Sequence, residues 1–146
     1  MAILGDKLKI VLADTFAMHL KAWNYHWNIE GPDFYQYHKF LQKIYEGLQD
    51  AIDPVAEHIR AIGEYAPGSF SRYKELTNIQ DELAVVSGEE SIRRLLADNN
   101  KILDSIKDAY DEAETAKEIG LSNFLQDRTD QHKKLGWMLA ATLAKH

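Results

Sequence analysis

The feature that most constrains this chain is a Gly-Pro break between two long helical patterns. The break is the tetrapeptide "EGPD", residues 30–33. Gly31 supplies flexible backbone, Pro32 cannot continue a helix, and Asp33 suits the N-cap of the helix that follows. Because the break is short, we expect the helices before and after it to lie side by side and antiparallel.

Helical periodicity also dominates the rest of the chain. No stretch alternates apolar and polar residues as a half-buried strand would. Gly63 suits the end of the second helix, and Ser87 or Gly88 suits the start of the next long one. The predicted helices are 6–29, with Asp6 as N-cap and Ile10, Phe16, Ala17, Leu20, Trp23 and Trp27 on one recurring face; 34–62, kinked at Pro54; a short helix at 71–76; 89–119, followed by Gly120; and 122–144.

The order of these helices predicts an all-α fold. Four long helices with one extended link after the second match a four-helix bundle of ferritin-like connectivity. The short helix at 71–76 is an extra element in the crossover between helices 2 and 3 of that bundle. A length of 146 residues suits one domain, 1–146, with one sizeable core.

Composition excludes several function classes. Hydrophobic residues make up 45% and charged residues 27%, as in soluble globular proteins. The chain has no cysteine, which excludes disulfides and thiolate metal sites, and we expect a cytoplasmic protein. No apolar run approaches the roughly 18 residues of a membrane span, and no signal peptide is recognised. The net charge of −6 disfavours general affinity for nucleic acid.

Four side chains on the first two helices form a candidate metal-ligand set. These are His26, His38, Asp53 and Glu57, and imidazoles with carboxylates suit Fe(II), Mn(II) or Zn(II). Asp53 and Glu57 are four residues apart and share a helix face. His38 and Asp53 are fifteen residues apart on one helix, or about 22 Å at 1.5 Å per residue. Metal–ligand bonds are near 2 Å, so one chain cannot bring these two residues to one ion.

A symmetric dimer removes this obstacle. If the second helix pairs antiparallel with its copy across a two-fold axis, His38 of one chain lies opposite Asp53 and Glu57 of the other, and two identical sites form. The crossing point is then near residues 46 and 47. Gly47 occupies that midpoint, where a missing side chain favours a close approach of two helices.

Simpler interpretations stay open at this point. Each histidine alone is more often a solvated or hydrogen-bonded side chain than a ligand. Asp53 and Glu57 alone are an ordinary exposed pair, and His58 is a competing ligand candidate beside Glu57. The tryptophans Trp23, Trp27 and Trp137 are expected to be core or interface residues.

Three motifs together resemble the Dps family, the DNA-binding proteins from starved cells, also called mini-ferritins. They are "NYHWNIEGPDFYQYH" (residues 24–38), "AIDPVAEHIRAIG" (51–63) and "DRTDQHKKLGWML" (127–139). The resemblance covers nearly the whole chain. It implies a hollow homododecamer built from two-fold dimers, which oxidises Fe(II), commonly with hydrogen peroxide, and stores the Fe(III) as a mineral.

The resemblance also assigns roles to residues. It implies a ferroxidase site with His26 and His38 from one subunit and Asp53 and Glu57 from its partner. Trp27 resembles the family's aromatic neighbour of that site, which quenches oxidising radicals. Acidic residues early in the last helix, Asp127 and Asp130, are predicted to line a pore that draws Fe(II) inward, or else to be solvated surface charges.

The chain departs from the family pattern at four positions. Gln42 stands where an acidic residue is usual, one turn after His38, and predicts a weaker second metal position. Tyr37 replaces an aliphatic residue, His58 replaces an arginine, and Pro54 follows a predicted ligand directly. These departures favour an alternative function: a structural shell with impaired oxidation that only sequesters cations.

A third function is compaction of DNA. Family members that bind DNA often use a mobile lysine-rich tail, whereas here only "MAILG" precedes the predicted first helix and the sequence ends with "AKH". An assembled shell with −6 per chain repels DNA at physiological salt. We therefore do not expect stable DNA binding at physiological salt, and DNA compaction stays an alternative function.

Overall fold

Helices and one long crossover make up the computed structural model, which describes residues 2–145. Within that range the helices are α1 (Ala2–Asn28), α2 (Phe34–Ala61), the short α3 (Phe70–Leu76), α4 (Gly88–Thr115) and α5 (Ile119–Leu143). The predicted all-α class, and the short extra helix between the second and third long helices, are confirmed. None of these helices is both long and apolar enough to cross a membrane.

Contacts between side chains fix the directions of the helices. Along α1 and α4 the ion pair Lys21–Asp98, at 2.9 Å, and the hydrogen bond Asp14–Ser105, at 2.6 Å, run in opposite order, so these helices are antiparallel. Gly88, at the start of α4, lies against Tyr37 at the start of α2. Helices α2 and α4 are therefore parallel, as a full-length crossover requires.

A buried carboxylate fastens the crossover to the bundle. Asp14 of α1 is completely buried. Its Oδ1 accepts hydrogen bonds from the Thr77 hydroxyl and the Asn78 backbone N–H, both at 2.7 Å, and its Oδ2 accepts one from Ser105 of α4. A charge taken out of water needs such partners. Asp14 thereby ties α1, the crossover and α4 together.

The face of α1 that enters the core is not the apolar face that the sequence analysis singled out. The core side chains of this helix include Leu4, Leu8, Leu12 and Met18, each at most 1% exposed. On the predicted face, by contrast, Leu20, Trp23 and Trp27 are 41%, 37% and 55% exposed. The helical period was right, but the sequence contains two apolar stripes on α1. The wider of the two packs against α2 and α4.

Three helices begin earlier than predicted, and α4 ends at Thr115, four residues before the predicted end at 119. Helix α1 begins at Ala2, so Asp6 lies within its second turn and is not the N-cap. Helix α3 begins at Phe70 with Ser69 as its cap, and α5 begins at Ile119, so Gly120 lies in its first turn. At each of the three starts the chain already has helical backbone before the first strong sequence signal appears. The predicted helix 89–119 is too long because Lys117, with φ +59°, lies outside the helical region between α4 and α5.

Other boundary signals act as predicted. Gly63 has φ +94° after α2, and Ser87 caps α4 by accepting a hydrogen bond from the Glu90 N–H at 3.1 Å. Asp33 occupies the N-cap position of α2, but its side chain makes no capping hydrogen bond. Helix α2 continues through Pro54 to Ala61 without a break.

Candidate metal centre

The two histidines that flank the Gly-Pro break are locked together. The rings of His26 and His38 stack with centroids 3.7 Å apart and planes 13° apart. Nδ1 of each ring lies 2.8 Å from the backbone carbonyl oxygen of the other residue. A carbonyl oxygen only accepts, so each Nδ1 carries the proton and each Nε2 keeps a lone pair. This tautomer suits binding of a metal ion through Nε2.

The turn between α1 and α2 creates this exchange of hydrogen bonds. His26 lies in the last turn of α1 and His38 in the second turn of α2, so the turn brings them face to face. Gly31 has φ +123°, a conformation that side-chain-bearing residues rarely adopt. The break is therefore the element that positions both rings.

A second anchor holds the C-terminal end of α1. Glu82 of the crossover accepts a 2.6 Å hydrogen bond from the Tyr25 hydroxyl and another from Arg94. Burial favours protonation of Glu82, but these two donors outweigh it and keep its pKa below the usual range. Burial and the hydrogen bond to Glu82 raise the pKa of Tyr25. Because Tyr25 precedes His26, this anchor also fixes the backbone of the histidine.

Asp53 and Glu57 lie in a different place. Both side chains are exposed, and neither makes an ion pair or hydrogen bond within residues 2–145. They line an open groove beside α1 and the start of α3, together with His19 and Asp50. The two carboxylates are therefore available to an external cation.

The described chain does not bring the predicted ligands together. Within residues 2–145, no group of three or more histidine and acidic side chains is close enough to hold a metal ion. Helix α2 is continuous between His38 and Asp53, so the separation of about 22 Å expected from its rise applies. Each pair is half of the predicted ligand set. The completion of the set across a dimer stays a prediction.

Aromatic side chains connect the histidines to an exposed surface. The Tyr45 ring lies 5.1 Å from that of His26 and 5.6 Å from that of Trp23, and Trp23 lies 4.7 Å from Trp27. The sequence analysis did not single out Tyr45. The available signal was its position about two helical turns after His38, on the side of α2 that faces α1. Although Trp27 follows His26 directly in the chain, the ring contacts within residues 2–145 link the two side chains through Trp23 and Tyr45.

The departures from the family pattern have defined surroundings. The Gln42 amide donates a 2.9 Å hydrogen bond to Glu46, one turn further along α2. The ring of His58 packs on Phe124 of α5 at 4.4 Å. His58 is rotated by roughly 100° around α2 from Glu57, and it faces α5 rather than the two carboxylates. Gly47 borders a groove beside α5.

The remaining candidates lie on exposed surfaces. Trp137 is 66% exposed, so neither it nor Trp23 and Trp27 is a core residue of the described chain, and only their interface role stays a prediction. Asp127 and Asp130 line an open groove on α5. Their pore role also stays a prediction.

Comparison with known proteins gives a consistent set of similarities. A family model described as "Ferritin-like domain" matches residues 5–146. The chain is 30% identical to the "DNA protection during starvation protein" of Helicobacter pylori, over 94% of this chain and 96% of that protein. It is 31% identical to antigen TpF1 of Treponema pallidum, over 97% of this chain and 81% of that protein.

Solved structures show the same family similarity. The Dps protein from Vibrio cholerae O1, described as belonging to a superfamily of ferritin-like diiron-carboxylate proteins, superimposes with a TM-score of 0.93 at 30% identity. The match covers 97% of this chain and 89% of that one. The crystal structure of antigen TpF1 superimposes with a TM-score of 0.95 at 27% identity, over 99% of this chain and 93% of that one.

Proposed function

Because the chain belongs to the Dps family within the ferritin-like superfamily, we propose that it oxidises Fe(II) and stores the product. The proposed reaction takes place at a site shared by two subunits of a dodecamer, in the cytoplasm. Fe(III) then accumulates as a mineral inside the hollow shell.

The observation that best supports this proposal is the reciprocal lock of His26 and His38. Two neutral imidazoles held with Nε2 unprotonated are suited to a divalent iron ion. Asp53 and Glu57 of the partner subunit would add two carboxylates, which offset the charge of the ion and favour Fe(III) after oxidation. Fe(II) is here a substrate, and the four side chains form its binding site.

We propose hydrogen peroxide as the oxidant. Two Fe(II) ions give up one electron each, and together these reduce one peroxide to two waters with uptake of two protons. Pairing the electrons in this way avoids release of hydroxyl radical. Trp27, whose ring centroid lies 4.7 Å from that of Trp23, is placed to donate an electron to any oxidising radical that escapes.

A shell that only sequesters cations is the second candidate. The observation that favours it is Gln42, whose amide is engaged with Glu46 and adds no negative charge beside the histidines. The two candidates differ in metal content. Crystals soaked in Fe(II) should show one ion or two at each site if oxidation is supported, and none if the shell binds cations elsewhere.

Direct DNA compaction has less support. The similar Helicobacter pylori protein is named for DNA protection. In this chain, protection through removal of Fe(II) and peroxide requires no contact with DNA, and the net charge of −6 opposes such contact. A mobility shift that persists at physiological salt would reverse this assessment.

The test of ferroxidase activity uses iron-free assembled protein. Fe(II) is added without oxygen, hydrogen peroxide follows, and the ferric absorbance is recorded. We expect a rate well above buffer, reduced by about tenfold or more in Asp53→Asn. Asp50→Asn is the matched control, since Asp50 lines the same groove and loses the same charge but is no predicted ligand. If wild type forms Fe(III) no faster than buffer alone, the proposal is wrong.

A further inference from the structure

A groove between α2 and α5 collects positive charge. It encloses about 190 Å³ and is lined by the cationic side chains Lys43, Arg128 and Lys134, with Gln131 and His132 beside them. No acidic side chain of residues 2–145 lines it; its other walls are apolar apart from Gly47. This is unusual in a chain with a net charge of −6.

The histidine in this groove is held neutral. Arg128 donates to Nε2 of His132 at 3.2 Å, and because arginine only donates, that nitrogen is unprotonated. Nδ1 of His132 donates to Oδ1 of Asn99 at 2.7 Å, and the Asn99 amide donates to the His132 carbonyl at 2.9 Å. Burial, with the neighbouring Arg128 charge, lowers the pKa of His132 to about 3. The ring therefore adds no charge of its own.

Arg128 is left without a negative partner. It forms no ion pair within residues 2–145, and its only side-chain hydrogen bond there is to a neutral ring. Burial lowers its pKa, while the charge of Asp127 acts in the opposite direction. Lys43 and Lys134 also make no ion pair in the described chain. A partly buried guanidinium is stable beside an anion and costly without one.

We propose that this groove binds a small oxyanion, with inorganic phosphate as its ligand. The planar fork of Arg128 suits the paired oxygens of phosphate. One nitrogen of that fork is held by His132, whose ring is held in turn by Asn99. Lys43 and Lys134 supply charge from opposite walls. A cavity of this size accepts a single ion rather than a strand of nucleic acid. This site is separate from the proposed iron-oxidising centre and does not depend on iron.

The experiment is calorimetric titration of phosphate into iron-free, assembled protein. Wild type should bind phosphate saturably. We expect Arg128→Gln to weaken binding by about tenfold or more and Lys134→Gln by severalfold, since each removes one charge contact. Lys133→Gln is the matched control. Lys133 lies next to Lys134 in the chain but lines the separate groove on α5 that contains Asp127 and Asp130. This variant should bind phosphate as wild type does.

Several outcomes would overturn the proposal. If wild type does not bind phosphate saturably, the groove is not a phosphate site. The same holds if Lys133→Gln weakens binding as much as Lys134→Gln does. Because Arg128→Gln disturbs a buried network and can impair folding, Lys134→Gln, which changes an exposed side chain, provides a second decisive variant. Competition by short duplex DNA at equal phosphate concentration would show a nucleic-acid surface instead. Competition by acetate with the same strength would show that phosphate is not preferred.

Discussion

At the scale of single residues, three histidines show how one ring performs opposite tasks. His26, His38 and His132 all have Nδ1 hydrogen-bonded to an oxygen, which places the proton on that nitrogen. The difference lies in what faces Nε2. In His132 it accepts from Arg128 inside the protein. In His26 and His38 no side chain of the described chain uses it, so it is available to a metal ion.

The buried His132 makes stability depend on pH. Its pKa is 6.5 when unfolded and about 3 when folded, so the unfolded chain binds the extra proton more readily. Its contribution is fully present above pH 6.5 and is lost as the pH falls toward 3, by up to about 1.4 kcal/mol per pH unit. We expect His132→Gln to flatten this dependence while keeping a donor to Asn99.

The measurement is urea unfolding of wild type and His132→Gln at pH 6.5 and pH 4.5. The charged neighbour of the ring, Arg128, does not titrate in this range, and Asn99 is neutral. The difference between the two proteins therefore reports on His132. An equal loss of stability in both would show that folding does not lower the pKa of the ring.

Gln42 is the residue that limits the proposed metal site. Gln42→Asp replaces a neutral amide with a carboxylate one turn after His38, and we expect tighter binding of a second ion by about tenfold, since the new charge offsets that of the cation. Titration with Co(II) checks this by counting ions per subunit. Gln36→Asp adds the same charge to another side of α2 and should leave metal binding unchanged. Equal effects in the two variants would point to general attraction of cations.

At the scale of helices, the sequence predicted number, order and class but not the buried face. Helix ends could be predicted at Gly31, Gly63 and Ser87. There the positive φ angle or the capping hydrogen bond depends on the residue itself and its nearest neighbours in the chain. The face of α1 is not local, since Leu20, Trp23 and Trp27 are as apolar as the side chains that enter the core. Only the packing of α2 and α4 decides between the two stripes. We predict that a second subunit covers this exposed aromatic stripe.

The contact between α2 and α4 explains another departure from the family pattern. A Cβ at Gly88 would lie 2.5 Å from the Tyr37 ring, so the large side chain at position 37 requires glycine at 88. We expect Gly88→Ala to destabilise the protein by about 1–3 kcal/mol through overpacking. Adding Tyr37→Leu should restore most of that loss, because the ring that clashes is gone.

Thermal unfolding of both single variants and the double variant measures this coupling. Gly120→Ala is the matched control, since it lies in the first turn of α5 and its added Cβ meets nothing within 4 Å. It should change stability little. Additive effects at positions 37 and 88 would contradict the steric account.

At the scale of the whole molecule, the sequence predicts half-sites better than sites. The distance between His38 and Asp53 follows from helical rise alone, so the sequence excludes a site within one chain. It does not contain the symmetry operation that completes the site, because an interface depends on surfaces from all helices at once. Two features favour a partner. These are the aromatic side chains of the exposed stripe on α1, and Asp53 and Glu57 on α2, which make no ion pair within residues 2–145.

Mixing two inactive variants tests this requirement directly. His38→Ala and Asp53→Ala should each abolish oxidation, because each removes a ligand from every site. In a dimer of one subunit of each kind, both substitutions fall in one shared site and the other site is intact. Random co-assembly should then restore about a quarter of the wild-type sites, since about half of the dimers are mixed and each has one intact site.

A mixture of His38→Ala with His26→Ala is the control, because the two histidines are contributed by the same chain. In its mixed dimers each site still lacks one histidine, so activity should stay absent. Recovery of ferric absorbance in the first mixture but not the second supports a shared site, whereas no recovery in either mixture would contradict it.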